Sequence, residues 1–279
     1  MGSGARRRLL ANVFLAAVVF IWIILPGVWT ICQSLKEPRD VHTLRWIPWL
    51  EYEPTFAAWR ENLGDPQLLR TLGNSVLVAS ATTVLVLVVG TPAAYGLARF
   101  RLPPFTSRDT LLFFLSQRFL PPVVVAVPLA VAVQSVGLYD NVVGLIVAHT
   151  AFFLPLGVLI ARGAFLDIPR DLEEAALVDG CTRVQMFVRV VLPLALPGIA
   201  ATALVTFGFS WNEFVAALLL TQYRAQTLPL FVAGSEDTWG LDMARVAVRG
   251  LIAVAPPLIV GLLVQRFVVR GLVMGAVKG

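Results

Sequence analysis

Six apolar stretches of membrane-crossing length constrain this chain more than any other feature. They lie near residues 10–31, 72–97, 110–135, 142–162, 195–220 and 247–269. A helix needs about 20 apolar residues to cross the hydrocarbon core. Backbone N–H and C=O groups in lipid must find partners inside the protein, and a helix supplies them within itself. The pattern therefore predicts an all-α integral membrane protein with six transmembrane helices. Composition points the same way: 14% of residues are charged and the mean hydropathy is +0.80, whereas a soluble domain carries about a quarter charged residues. At the N-terminus, Arg6-Arg7-Arg8 precede an apolar run to Ile31. That run exceeds the 7–15 residues of a signal-peptide core and lacks a small-x-small cleavage site after it. It is read as an uncleaved first span.

The loops set direction. Arg6, Arg7 and Arg8 precede span 1; Arg99, Arg101 and Arg108 lie between spans 2 and 3; Arg170, Arg183 and Arg189 lie between spans 4 and 5; Arg266, Arg270 and Lys278 are assigned to the segment that follows span 6. With alternating helices all fall on one side, which the positive-inside rule makes cytoplasmic, with both termini inside. Residues 32–71 mix acidic and basic side chains and form an extracytoplasmic loop, with Trp22, Trp29, Trp46, Trp49 and Trp59 near the outer end of span 1. The whole chain, 1–279, reads as one membrane domain. A net charge of +5, dispersed between apolar runs, excludes a nucleic-acid partner, which would need clustered basic residues. Cys32 and Cys181 are placed in different loops on opposite sides, so no disulfide is expected. His42 and His149 have no ligand spacing and are read as structural, so no metal site is expected.

The stretch 163–193, GAFLDIPRDLEEAALVDGCTRVQMFVRVVLP, interrupts this apolar pattern. Pro169 suits a helix start, and Asp171, Glu173 and Glu174 lie toward the positive end of the helix dipole. Asp179-Gly180 is a stop, because glycine reaches the left-handed conformation cheaply. Thr182 can cap a second helix, on which Val184, Phe187, Val188, Val191 and Leu192 recur at helical spacing as one apolar face. The segment is a helix-turn-helix on the cytoplasmic side. Small alanines beside acids make a docking knob for a cytosolic protein. The alternative is a solvated loop with a core-packing second helix.

This segment resembles the EAA loop of membrane subunits of ATP-binding-cassette (ABC) importers. Glu174-Ala175-Ala176 is followed by Gly180 and, nine residues later, by Val190-Val191-Leu192-Pro193, with Val where the family pattern has Ile. The stretches 74–100 and 210–221, the latter SWNEFVAALLLT, resemble spans of carbohydrate-importer permeases. The tail GLVMGAVKG at 271–279 resembles the ending of the smaller permease of the maltose-type pair, with Val273 and Met274 departing from it. The resemblance implies a type I importer (MetI-like) permease fold of a bacterial inner membrane. It implies a second permease subunit, two cytosolic ATPase subunits, an extracytoplasmic solute-binding protein and a sugar, oligosaccharide or polyol as cargo. It also assigns ATPase coupling to Glu173, Glu174, Ala175, Ala176, Asp179 and Gly180, in a loop of about 163–193. ATP and Mg would be held by the partner ATPase, and no cofactor or catalytic residue is expected on this chain. No Gly-rich Gly-Lys-Ser/Thr phosphate loop is present.

Arg118, Asn212 and Glu213 lie inside apolar runs. Charges there are costly and face a cavity or a partner, so these are candidates for the translocation path or the subunit interface. Arg118 can also snorkel to headgroups. In straight helices Arg118 and Glu213 differ in height by about 15 Å, which disfavours a direct pair, although Pro121-Pro122 is a candidate break in span 3. Asn74 and Thr82 are read as packing glue, and residues 224–240 as a contact for the binding protein. Two other classes stay open. A secondary transporter would need its own ion-coupling site on broken, repeat-related helices; an intramembrane enzyme would need a nucleophile, base or metal at membrane depth.

Overall fold

Prolines, glycines and one glutamate decide where the apolar runs become separate helices. The structure, a computed structural model, describes residues 3–100, 107–234 and 242–276, with side chains described for 12–100, 108–110, 112–117, 119–234 and 242–266. The described helices are α1 (Ser3–Ser34), α2 (Ala57–Leu63), α3 (Pro66–Arg99), α4 (Ser107–Phe119), α5 (Pro122–Ser135), α6 (Val142–Leu166), α7 (Arg170–Val178) and α8 (Arg183–Met186). A π-helical stretch, Phe187–Val191, leads into α9 (Leu192–Trp211), α10 (Val215–Leu220), α11 (Leu228–Ala233) and α12 (Met243–Ala276). Among the described residues, five helical segments are long and apolar enough to cross a membrane, or six if one sharply bent pair is counted as a single span. The fold is all-α.

That bent pair is the third apolar run. It divides between Phe119 and Pro122, and its two halves make an angle of 89°. Pro122 opens α5 at a position where its missing N–H is no loss. The fifth run departs from the sequence reading, which drew one helix over 195–220. The helix stops at Trp211 and restarts at Val215. The reason is Glu213, whose carboxylate accepts the N–H groups of Val215 (2.9 Å) and Ala216 (2.9 and 3.1 Å). A side-chain cap replaces the intrahelical ladder at that point.

By backbone proximity the chain falls into two compact units, Met1–Leu69 with Val232–Val254, and Arg70–Phe231 with Ala255–Gly279. In the first unit, Val41, Ala58, Ala244 and Val248 form a small core with Trp59 and Ile252. Arg249 Nε donates to Asn62 Oδ1 at 2.9 Å, and Arg245 pairs with Glu61 and Asp242. The stretch after span 1 is thus more ordered than a plain 32–71 loop: Cys32 lies inside α1, α2 folds at 57–63, and α3 begins at Pro66. Lys36 is 1% exposed. Its ammonium donates to Thr43 O at 3.0 Å and lies over the rings of Trp29 and Tyr52. Burial pushes the Lys36 ammonium below its usual value and the Tyr52 phenol up to about 12. The apolar side chains of α1 are exposed from Val13 to Val28 and again at Ile31, Trp22 at 81%, while Trp29 is half-buried.

In the second unit α6 packs against α9 and against the middle of α3. Glycine allows the close approach. A Cβ on Gly157 would sit 2.3 Å from Val86 Cγ1, and one on Gly198 would sit 2.2 Å from Ala164 Cβ. One core gathers Ala94, Leu97, Val158, Ala161, Phe165, Val191 and Ala195; a second gathers Val78, Val133, Leu145, Ala148, Ala217 and Leu220.

Candidate functional site

The charged interruption folds as the sequence directs. Pro169 is the N-cap of α7, and Asp171 and Glu173 stand in its first turn. At the other end Gly180 takes φ +87°. Gly180 N–H donates to Leu177 O (3.1 Å) and Cys181 N–H to Ala176 O (3.0 Å), a Schellman stop that satisfies two orphan carbonyls. Thr182 and Gln185 then exchange hydrogen bonds in a capping box, at 2.9 and 3.3 Å.

The next turn corrects the predicted apolar face. Val184 and Val188 are 72% and 50% exposed, while Met186 and Val191 are buried at 5% and 0%. The five-residue step between Met186 and Val191 matches the wider π turn over Phe187–Val191. That extra width rotates the following residues inward out of the plain helical register, so Ala195 continues the buried row.

Helix α7 has two unlike faces. Glu174, Ala175, Asp179 and Gly180 are exposed, with Leu172 and Val178 beside them. Glu173 and Ala176 are buried. Together with Ala176, Glu173 therefore separates from the other coupling candidates. Its Oε1 accepts Arg99 Nε at 2.6 Å, and its Oε2 accepts the Tyr95 hydroxyl at 2.8 Å. Arg99 Nη2 donates to Ile168 O at 2.8 Å, two residues before α7 begins. The Arg99 and Glu173 side chains are only 7% and 10% exposed. Below them Tyr95 packs against Phe165 and Phe187, centroids 5.5 and 4.9 Å apart. A cavity of about 210 Å³ opens beside the pair, bordered by Phe100, Arg170, Glu174 and Arg183. The sequence reading used Arg99 only as a marker of sidedness. Tyr95 and Arg99, four residues apart on α3, were the available signal for a polar face aimed at one partner.

The second candidate group sits where the fifth run breaks. Asn212 is exposed, and its Nδ2 donates to Gly208 O at 2.8 Å. Glu213 caps α10, and its Oε2 lies 3.4 Å from His149 Nε2. His149, 0% exposed, meets Ser210 Oγ through Nδ1 at 2.8 Å. Sequence reasoning found no partner for His149 because Ser210 and Glu213 reach it from another helix across 61 and 64 positions. Arg118 lies in the backbone of α4; its side chain, and so any pairing with Glu213, lies outside the described residues.

A third group is built around the loop after α10. Asp140, at φ +50°, accepts the backbone N–H groups of Gln222, Tyr223, Arg224 and Ala225 at 3.0–3.2 Å. Asn74 Nδ2 donates to Arg224 O and Gln226 O, both at 2.9 Å, and Ser75 Oγ accepts Leu228 N–H at 2.8 Å. The Arg70 guanidinium stacks 4.0 Å from the Tyr223 ring centroid. Asn74 thus does more than pack: it fixes this loop. Of the 224–240 stretch, residues 235–240 lie outside the described residues.

The family model described as binding-protein-dependent transport system inner membrane component matches residues 87–273. Over 279 residues the chain is 34% identical to the trehalose transport system permease protein SugB of Mycobacterium tuberculosis (strain CDC 1551 / Oshkosh), covering 99% of this chain and 100% of that protein. It is 31% identical over 269 residues to the diacetylchitobiose uptake system permease protein DasC of Streptomyces coelicolor, covering 95% of each. Among solved structures, a chain of a bacterial ABC transporter involved in import of the acidic polysaccharide alginate superposes with a TM-score of 0.76 at 20% identity. That match covers 95% of this chain and 98% of that one. Likeness at that identity speaks for the fold.

Proposed function

The chain belongs to the family of binding-protein-dependent transport system inner membrane components, and on that premise we propose that it forms half of a carbohydrate pathway driven by a separate ATPase. It is a multi-pass membrane permease subunit with the type I ABC importer fold. The cargo class rests on relatives that are permeases for trehalose and diacetylchitobiose. The remaining subunits are a second permease, two cytosolic ATPases that hold ATP and Mg, and an extracytoplasmic binding protein. Both termini and α7 lie on the cytoplasmic side in this reading, which the arginine distribution supports.

One observation carries the coupling role: α7 is a short helix with one face tied into the protein and the other exposing Glu174, Ala175, Asp179 and Gly180. Small exposed residues allow another backbone to approach closely, and the acids offer hydrogen-bond acceptors to basic groups. Nucleotide-driven closure of the two partner ATPases then displaces α7. Ala175→Glu places a long charged side chain on the exposed face without touching the buried one. We expect at least a tenfold loss of ATPase co-purification from detergent extracts, with the spans still inserted. Unchanged co-purification would reject the docking face. The isolated chain is expected to hydrolyse no ATP.

The structure also bears on the rival secondary-transporter reading, because a second run proves interrupted. The carboxylate at that interruption, Glu213, is occupied by two backbone N–H groups and approached by His149. That arrangement is a cap for α10, and the family assignment favours an external motor.

A further inference from the structure

We propose that the buried Arg99–Glu173 pair, completed by Tyr95, is the joint that makes α3 move with α7. This inference rests on the coupling reading above and deepens it. Covalent connections already tie α7 to α6 on one side and, through α8 and the π turn, to α9 on the other. Helix α3 is remote in sequence, 74 positions from Glu173 at the Arg99 contact. It needs a non-covalent link to follow a displacement of α7.

The geometry has the properties of such a link. Arg99 is the last residue of α3. Its planar guanidinium grips two points of the α7 entrance at once, the Glu173 carboxylate and the Ile168 carbonyl. A fork with two anchors resists rotation as well as separation. Tyr95, one turn earlier on the same helix, holds the other carboxylate oxygen. Both oxygens of Glu173 are therefore engaged by one helix. The two side chains are largely buried at the edge of the cavity, so the pair is screened by salt much less than a surface pair. The aromatic contacts of Tyr95 with Phe165 and Phe187 seat the joint against α6 and the π turn.

Burial also divides the labour on α7. Glu173 and Ala176 face the joint, while Glu174, Ala175, Asp179 and Gly180 stay outside for the motor. Arg99, Tyr95 and Glu173 are thus positioning residues: they act through the helix they hold and touch neither nucleotide nor cargo.

The test uses the full complex of this chain with its second permease and ATPase subunits, with Cys32 and Cys181 replaced. Spin labels are placed on two exposed positions, Asp171 in α7 and Val88 in α3. Their separation is measured by pulsed electron resonance, without nucleotide and after ADP–vanadate trapping. In the parent we expect one narrow distance, the same in both states. The variant R99M/E173L removes the polar link without stranding a buried charge. It should keep the parent's unfolding temperature and ATPase co-purification, yet its distance should shift or split by several ångström on trapping. A merely structural pair would leave the distance unmoved in that variant, and this result overturns the proposal. So does a parent distance that changes with nucleotide, or loss of co-purification in the variant, since the joint lies behind the docking face. Tyr95→Phe removes one hydrogen bond and keeps the ion pair. It should broaden the trapped distribution to a lesser degree, and it carries the test if the double variant does not fold; an unaltered Y95F distribution then counts against the joint. A parent chain that never retains the ATPase would instead sink the coupling reading itself, before any variant is made.

Discussion

Two buried glutamates of the same compact unit solve the cost of burial in opposite ways. Glu173 gives both oxygens to side chains of another helix, one of them a cation. Glu213 gives its oxygens mainly to the backbone two and three residues ahead, with a histidine at the edge of hydrogen-bond range. The first ties elements distant in sequence through a permanent cation and a phenol. The second shapes the break between α9 and α10 with backbone donors and reaches α6 only through His149. Burying a carboxylate therefore says little about its role until its donors are known. Side-chain donors make a joint between helices, and backbone donors make a bend within one run.

The difference can be broken most forcefully at Arg99. Arg99→Ala strands Glu173 in a site with little water, and orphaning one partner of a buried pair costs about 3–5 kcal/mol. We expect a loss of that order in thermal or denaturant unfolding of the detergent-solubilised protein. Replacing both partners by apolar residues should return most of it. A loss below about 1 kcal/mol for Arg99→Ala would mean that water reaches the pair as at a surface salt bridge. Glu213→Ala removes a local cap and should cost less, about 0.5–2 kcal/mol, read in the same unfolding experiment. Glu213→Gln keeps one acceptor and should recover part of that loss. If Glu213→Ala proved as costly as Arg99→Ala, the separation between joint and bend would fail.

Much of this was legible beforehand, for definable reasons. The apolar runs announced the spans because lipid leaves the backbone no alternative to internal pairing. The Pro169 start, the Gly180 stop and the Thr182 cap were readable because capping chemistry is local, decided within a few residues. What stayed hidden was non-local or a matter of register. The Glu173 contact with Arg99 spans 74 positions, and no spacing rule reaches that far. The π turn at Phe187–Val191 has no composition signal of its own, so the plain helical period grouped Val184 and Val188 with Val191 on one apolar face, of which Val191 is buried and the other two are exposed. The break at Asn212–Phe214 was missed because SWNEFVAALLLT is apolar enough to read as continuous helix. Glu213 was noticed as a costly charge, but its use as a cap depends on main-chain geometry.

Asp140 offers the mildest way to sharpen the contrast, because it repeats the backbone-donor solution outside the spans. Burial alone would raise its carboxyl, but backbone N–H groups from Ala225, Arg224, Gln222 and Tyr223 outweigh that and hold it below the usual 3.8. A carboxyl depressed in the folded state stabilises fully above its unfolded value. That contribution is lost as pH falls through the lower folded value. The clamp on the loop after α10 should therefore be constant from neutral pH to about 5 and weaken below about 4, by about 1 kcal/mol. Amide hydrogen exchange at Gln222–Ala225, corrected for intrinsic rates, reads this directly. Asp140→Asn should lower protection at neutral pH and remove the acid-dependent step, while amides of α6 keep theirs. Should the step persist in Asp140→Asn, another acid controls the loop, and the kinship drawn between Asp140 and Glu213 would not stand.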